Sequence, residues 1–382
     1  MHQETDTQSA GVEERLAQVR TQIDEIDQQL LTLLNQRAVL SRQVGRIKAC
    51  DMGAIFKPLR ESELLNELAK KNQGDLPEEH LRSIWREILS SSRALQRPQD
   101  VAYLGPEGTF SFFAGLEYLG HAATYHACRD IAEIFELVNS GECALGVVPL
   151  ENSLQGTVGV SFDLFLKYPM FIQAELFVRI SHCCLSSAQD LSSIRTVYSH
   201  PQPLGQCSTW LRTHLPNAVL VPVESTAAAG KRAQGVQDAA AIGHRGLAVI
   251  LGLNILAKRI ENEAGNWTRF VIITPKKSQE RSELADKTSL LFTLADRPGS
   301  LATVLGHFAK AGINMRKLES RPLRGETWKY VFFADVEADL EQPSYASFLE
   351  ELTANCSTFR ILGSYVTGPQ MDRLSCEEIS RI

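Results

Sequence analysis

Between residues 12 and 97 the apolar positions recur at three- and four-residue steps, with few Gly or Pro, which predicts helix throughout. The first stretch carries Leu16, Val19, Ile23, Ile26, Leu30, Leu33, Arg37, Leu40, Val44 and Ile47 in a strict 3-4 alternation, running to about Lys48. One member of this seam is an arginine. Pro58 and Pro77 open a second and a third helix, which end near Gly74 and Arg97, and Pro98 closes the segment. From Val101 to Pro275 the pattern changes to short β-branched runs (VAYLG, CALGVVPLE, IRTVYSH, AVLVPVE, DAAAIGH, TRFVIITP) between amphipathic helices. That alternation predicts an α/β fold with largely parallel sheets. The run FIQAELFVRISHCCLS at 171–186 and the return through NILAKRI to TRFVIIT predict two crossings between two lobes. Ligands are then expected in the cleft, near strand ends. After a polar linker, KKSQERSELADK at 276–287, comes a βαββαβ order. Its parts are TSLLFTLA, a helix from Gly299 to Ala311, INMRKLESRP, a turn at Arg324 and Gly325, WKYVFFADVE, a helix near 343–354 and TFRILGSYV. This is a ferredoxin-like α+β module. The polar stretch after Thr367 lacks periodicity and reads as loose. The expected domains are therefore 12–97, 100–276 and 286–367.

Composition narrows the function without naming it. With 382 residues, 39 Lys+Arg against 45 Asp+Glu and 44% hydrophobic residues, the chain is an ordinary multidomain globular protein with no basic surplus for nucleic acid. The longest apolar-plus-glycine run, Gly246 to Leu253, is far below the ~20 residues of a membrane helix. The first fifteen residues are polar and acidic, so a cytoplasmic location is expected. Eight Cys lie without C-x-x-C or His/Cys ligand spacing, which fits reduced thiols and no metal. Neither a glycine-rich dinucleotide fingerprint nor a P-loop is present, and no cofactor is expected.

The arginine in the seam carries the first chemical argument. Stranding a cation in a core costs several kcal/mol, so Arg37 requires an anion. Lys48 lies on the same face about 16 Å along the axis, and two long side chains can converge on a small dicarboxylate between them. Arg20, about 25 Å away and roughly 100° around the helix, can serve only a partner chain, and the heptad seam gives an independent reason to dimerise. Ser92 and Gln96 share a face of the third helix, while Arg60 and Glu61 open the second. Singly, Arg37 reads as a snorkelling cation, Lys48 as a solvated helix end and Gln96 as a surface residue; together they surround a dianion.

The segments RTQIDEIDQQLLTLLNQRAVLSRQVGRIK and PLRESELL resemble the AroQ-type helical chorismate mutases, over residues 12–97. The resemblance implies an intertwined dimer that rearranges chorismate to prephenate. Arg20 would be donated across chains, Arg37 and Arg60 would hold carboxylates, Glu61 and Ser92 would orient the substrate, and Lys48 with Gln96 would sit on the ether oxygen. The physics agrees: the rearrangement is intramolecular and needs no nucleophile, only a fixed conformer and stabilised charge on the ether oxygen. Where some members have Asp, this chain has Lys57.

YLGPEGTFS, GVVPLENSLQGTV, YSHPQPLGQC, ESTAAAG and NWTRF resemble prephenate dehydratase, in order, over residues 101–275. The fold implied is two-lobed and periplasmic-binding-protein-like. By that resemblance Thr268 protonates the leaving hydroxyl, directly or by relay, and Asn152, Ser199 and Gln206 orient the substrate. Glu151, Ser225, Thr226 and Arg269 would shape the pocket or bind carboxylate. His244 reads as structural rather than as a general base, and Cys207 as packing.

DRPGSL at 296–301 and LESRPL at 318–323 resemble the two signature segments of an ACT domain, whose expected effector is phenylalanine. Pro298, Gly299, Ser300 and Leu301 form a turn into a helix whose amide N–H groups can donate to a carboxylate; Glu319, Ser320, Arg321 and Pro322 form the neighbouring strand end. The implied whole is a bifunctional enzyme taking chorismate through prephenate to phenylpyruvate, inhibited by phenylalanine, as a homodimer or higher oligomer without nucleic-acid or membrane partners. Two rivals stay open: an arogenate dehydratase, and a noncatalytic ligand-binding regulator with a helical arm.

Overall fold

The computed structural model describes residues 3–49, 55–277, 283–323 and 330–372. Three helices open the chain: α1 (Gln3–Ala49), α2 (Pro58–Lys71) and α3 (Glu78–Gln96). α1 and α3 cross closely because Gly45 has no side chain; a Cβ there would lie 2.8 Å from the Cα of Gln96. The earlier seam residues Leu16, Val19, Ile23, Ile26, Leu30 and Leu33 remain at least half exposed, so α1 projects an apolar stripe that no other described residue covers.

The first lobe of the middle unit holds β1 (Asp100–Leu104), α4 (Phe110–Leu119), β2 (Thr124–Cys128), α5 (Ile131–Ser140), β3 (Leu145–Asn152), β4 (Gly156–Thr157), α6 (Gly159–Lys167) and β5 (Phe171–Arg179). The second lobe holds β6 (Cys183–Ser186), β7 (Thr196–Ser199), α7 (Pro201–Gln206), α8 (Ser208–His214), β8 (Val219–Pro222), α9 (Thr226–Ala233), β9 (Ala239–Gly243), α10 (Gly246–Leu251) and β10 (Asn254–Lys258). β11 (Trp267–Thr274) returns to the first lobe, so the chain crosses twice. The expectation of largely parallel sheets is corrected: both sheets are mixed. At the strands that make or follow the crossings the pairing is antiparallel: β11 with both β5 and β3 in one lobe, and β6 with both β10 and β9 in the other. Helical crossovers impose the parallel pairing of β1, β2 and β3, and of β7, β8 and β9.

The last unit comprises β12 (Lys287–Thr293), α11 (Ser300–Lys310), β13 (Met315–Pro322), β14 (Tyr330–Val336), α12 (Ala346–Ala354) and β15 (Thr358–Tyr365), in the sheet order β13-β14-β12-β15 with every pairing antiparallel. One face carries Leu290, Phe292, Ala334 and Val336 against Val304 and Phe308 of the helix layer. The other face carries Leu291, Val331 and Phe333 into the core of the first lobe. Period-two alternation thus gives each strand two cores. Two expectations are corrected here. Lys287, read as linker, is the buried first residue of β12. Of the stretch after Thr367, read as loose, the described part forms β16 (Gln370–Met371), which pairs with β5, and places Asp372 2.7 Å from Arg179, while 373–382 lie outside the described residues. Pairing to a free strand edge needs no hydrophobic period, which is why the pattern gave no sign of it. The expected turn at Arg324 and Gly325 lies outside the described residues.

Candidate active sites

A cavity of about 480 Å³ lies among the three N-terminal helices. Its lining brings together Arg37, Lys48, Arg60, Glu61, Ser92 and Gln96, with Lys57 and Arg93 added. Arg20 is exposed on α1 and does not line it. Arg37 donates to the Ser92 hydroxyl, and Ser92 in turn donates to the Ile88 carbonyl at 2.7 Å, so the guanidinium is aimed across the cavity from α1. Burial lowers the Arg37 guanidinium from its ordinary value and Glu61 acts in the opposite sense, as for a cation short of negative partners. Gln96 gives one amide N–H to the Ser92 carbonyl at 3.2 Å, while its Oε1 is buried without a partner among the described residues. Cations from two helices and the α2 entry, a hydroxyl and an amide face a space within the ~300–1,000 Å³ of ligand sites.

The signal for Arg93 was present in the sequence, three residues before Gln96 on one helix face, but a single arginine at that spacing does not announce burial. It is 4% exposed, and one of its nitrogens lies 2.6 Å from both carboxylate oxygens of Glu61.

In the middle unit, β3 ends and β11 begins side by side. Their register pairs Asn152 with Thr268, and Glu151 with Arg269. Asn152 Nδ2 donates to Thr268 Oγ1 at 3.0 Å and to Asn266 Oδ1 at 2.7 Å, while Asn152 Oδ1 accepts from the amides of Leu154 and Gln155. Since the threonine oxygen already accepts an N–H, its own proton is left to donate elsewhere. On the second lobe Ser199 is fully buried and donates to the Ile242 carbonyl at 2.8 Å, tying β7 to β9. Ser225 caps α9 by accepting the Ala228 amide, and Thr226 is the first residue of that helix. These groups sit at the ends of the parallel strands, where clefts form. Gln206 meets His182 Nε2 at 2.9 Å; His182, buried beside Phe110 at 5.5 Å, was missed because a lone His in a strand run carries no pattern. Gln202 reaches Gln155 at 3.0 Å, a contact that joins one lobe's helix to the other lobe's loop. Burial pushes His244 down to about 3, so it is a neutral ring packed on Phe113 that accepts the Gly246 amide.

Glu151 and Arg269 are corrected. Adjacent residues on a strand face opposite sides, so placing Thr268 and Asn152 on one face of β3 and β11 turns Arg269 and Glu151 to the other, against the C-terminal sheet. There Arg269 binds Glu175 at 2.7 Å, Asp335, and the Tyr365 hydroxyl at 3.0 Å, while Glu151 pairs with Lys317 at 2.8 Å.

Glu319 and Arg321 are corrected for the same reason. They lie on the face of β13 turned to the middle unit: Thr157 donates to Glu319 at 3.0 Å, and Arg321 binds Asp163 at 3.1 Å. Gly159 leaves room for that arginine, since a Cβ there would stand 2.6 Å from Arg321 Nη1. Leu318, Ser320 and Pro322 alternate to the other face and are exposed. The register Thr293–Val331–Arg321 brings the loop holding Pro298 and Gly299 to the same end of the sheet as Pro322. Gly299 has φ 87°, a conformation only glycine adopts freely, and leads into Ser300 and Leu301 of α11.

Three family models match in this order: chorismate mutase type II over residues 19–97, prephenate dehydratase over 101–278 and the ACT domain over 288–344. The bifunctional chorismate mutase/prephenate dehydratase of Aquifex aeolicus is 38% identical over 92% of this chain and 98% of its own. The chain belongs to this family of bifunctional enzymes. A solved prephenate dehydratase from Arthrobacter aurescens, in complex with L-Phe, superposes with TM-score 0.64 at 31% identity, covering 71% of this chain and 91% of that one. A quorum-quenching acylase, GqqA, superposes with TM-score 0.65 at 30% identity over 71% of this chain and 99% of its own, so this architecture alone does not fix a reaction. As a family member the chain has a mutase unit of helices, a two-lobed dehydratase unit and an ACT unit. No described helix is long and apolar enough to cross a membrane.

Proposed function

We propose that the helical cavity isomerises chorismate to prephenate and that the cleft beside Thr268 converts prephenate to phenylpyruvate. The carrying observation is the cavity itself: among its lining residues the guanidiniums of Arg37, Arg60 and Arg93 face one carboxylate, Glu61, an imbalance that a dicarboxylate corrects. Arg37 and Arg60 hold the two carboxylates, Ser92 and Glu61 orient the ring, and Lys48 with Gln96 stabilise the ether oxygen as its bond breaks. Arg20 completes the site from a second copy, packed along the exposed seam of α1.

In the cleft the bond from ring to carboxylate breaks, its electron pair completes the aromatic ring, and carbon dioxide leaves. Hydroxide departs as water when Thr268 supplies a proton directly or in relay, with Asn152 holding the hydroxyl in place. Ser199, Gln206, Ser225 and Thr226 form the facing wall. In the ACT unit we place phenylalanine at Pro298, Gly299, Ser300 and Leu301 with the exposed face of β13 at Ser320 and Pro322. Its binding is then felt on the other face of the strand, where Lys317, Glu319 and Arg321 meet the dehydratase unit.

Chorismate supplied to Thr268→Ala is expected to accumulate prephenate with no phenylpyruvate, while mutase turnover stays near that of the parent. Phenylpyruvate at the parental rate would remove Thr268 from the mechanism. Arogenate offered in parallel, with phenylalanine as the product sought, decides between the two dehydratase substrates.

A further inference from the structure

Arg93 belongs to two units at once. Its side chain leaves α3 between Ser92 and the turn carrying Gln96, lines the mutase cavity and contacts both oxygens of Glu61 at 2.6 Å. Its other terminal nitrogen donates to the carbonyl of Leu119, the last residue of α4 in the dehydratase unit. That carbonyl is one of the helix-end acceptors with no partner inside its own helix. The guanidinium also stands 5.6 Å over the Phe56 ring, which packs edge-on against Tyr118 at 6.3 Å and joins the dehydratase core.

The surroundings hold the two units in register. Arg86 donates to the Glu117 carbonyl, Ser90 accepts the Ala122 amide at 3.1 Å, and Glu87 takes both the ring and the amide of His121. Gly120, at φ 81°, admits this approach, since a Cβ there would lie 2.5 Å from the Cβ of Ser90.

We propose that Arg93 is a positioning residue for the mutase reaction: it fixes the Glu61 carboxylate toward the substrate, and the dehydratase unit supplies the Leu119 carbonyl that fixes Arg93. The mutase site is complete only when the two units are docked. The inference rests on the reading that the helical cavity binds chorismate.

Glu61 faces Arg37 and Lys48 from α1, Lys57 and Arg60 from the α2 entry, Arg93 from α3 and Tyr118 from α4. Burial pushes its carboxyl up; Arg93 is the strongest group pulling it back down, with Arg37 next. Removing Arg93 therefore moves this carboxyl further up, toward neutrality, and replaces a charged acceptor by a protonated one.

The test uses the full chain and measures mutase kcat/KM against pH in the parent, Arg93→Met, Arg93→Lys, Glu61→Gln and the double variant Arg93→Met with Glu61→Gln. Arg93→Met is expected to lose about 100-fold at neutral pH. Its acid limb should move upward by at least one pH unit, and Glu61→Gln should abolish the limb in both backgrounds. Arg93→Lys, a point cation without the planar fork, should show a smaller shift in the same direction, and it carries the test if the methionine variant does not fold. Lower turnover with an unmoved acid limb overturns the proposal, because a purely structural role would give that result. Arg37→Ala separates the two readings. If it loses mutase activity while the limb in Arg93→Met stays in place, the positioning role alone fails; if it keeps full activity, the cavity reading fails and takes this proposal with it.

Discussion

The helical cavity and the junction between the dehydratase and ACT sheets both bury arginines beside carboxylates, yet their charges balance differently. At the junction Arg269 and Lys287 face Glu175 and Asp335, with Lys287 at 2.9 and 3.0 Å from the two oxygens of Glu175. Ser289, Tyr365 and the amide of Gly368 supply the remaining hydrogen bonds. With the adjoining pair of Lys317 and Glu151, three cations meet three anions, and the charges balance within the described residues. The cavity sets several cations around Glu61 and keeps its space open. A satisfied buried cluster is structural, whereas the surplus of guanidiniums around Glu61 is what supports the binding site proposed for the cavity. The same distinction separates Thr268 from its neighbour Arg269, since one strand turns the residue proposed for chemistry to one face and the residue of attachment to the other.

The balanced cluster gives the largest expected effect. Arg269→Ala removes the main partner of Asp335 and one of the two cations on Glu175, and should cost about 3–5 kcal/mol in denaturant unfolding, with the ACT unit loosening from the dehydratase unit. A loss under about 1 kcal/mol would mean that the junction is held by its apolar contacts alone.

The contrasting variant is Arg37→Ala. It should lower mutase kcat/KM by about 10²- to 10³-fold while moving the unfolding midpoint less than Arg269→Ala does. Equal damage to stability would erase the contrast.

Gly45→Ala sharpens the picture of the cavity wall. The added methyl meets the backbone of Gln96 at 2.8 Å and must push α1 from α3, costing about 1–3 kcal/mol and displacing Lys48 and Gln96 together. Mutase kcat should fall and dehydratase kcat should not, measured with chorismate and prephenate separately.

The smallest effect is an acid slope. Burial pushes the Asp335 carboxyl up, but Arg269, Lys287 and Ser289 outweigh it and hold it below its ordinary value. A depressed carboxyl contributes stability that is fully present above its unfolded value, about 3.9, and is lost as pH falls through the lower folded value. The parent should lose stability over that window more steeply than Asp335→Asn, as followed by thermal unfolding between neutrality and strong acid.

Much of this was legible in the sequence because it rests on local rules. The 3-4 seam gave α1, Pro58 and Pro77 gave the next two helix starts, and the strand runs at 171–186 and 267–274 gave two lobes. The group Arg37, Lys48, Arg60, Glu61, Ser92 and Gln96 could be read as one site because helical spacing is regular enough to compute which residues share a face.

Other features needed the tertiary fold. A motif of neighbouring residues such as Thr268–Arg269 reads as one functional unit in sequence, but a strand sends its two members to opposite sides, and only the packing of a second sheet shows where the arginine goes. Glu319 and Arg321 were assigned to an effector for the same reason and instead meet Thr157 and Asp163. The partnership of Arg93 with Glu61 and with the Leu119 carbonyl joins residues from three helices in two units. The sequence by itself determined the helices, the strands of the three units' cores, their order and the cations able to share a helical face, since these follow from periods of a few residues. Which charges are neutralised and which face a space was decided only by the tertiary structure, because neutralisation depends on groups far apart in the chain and buried charge is stable only beside its opposite.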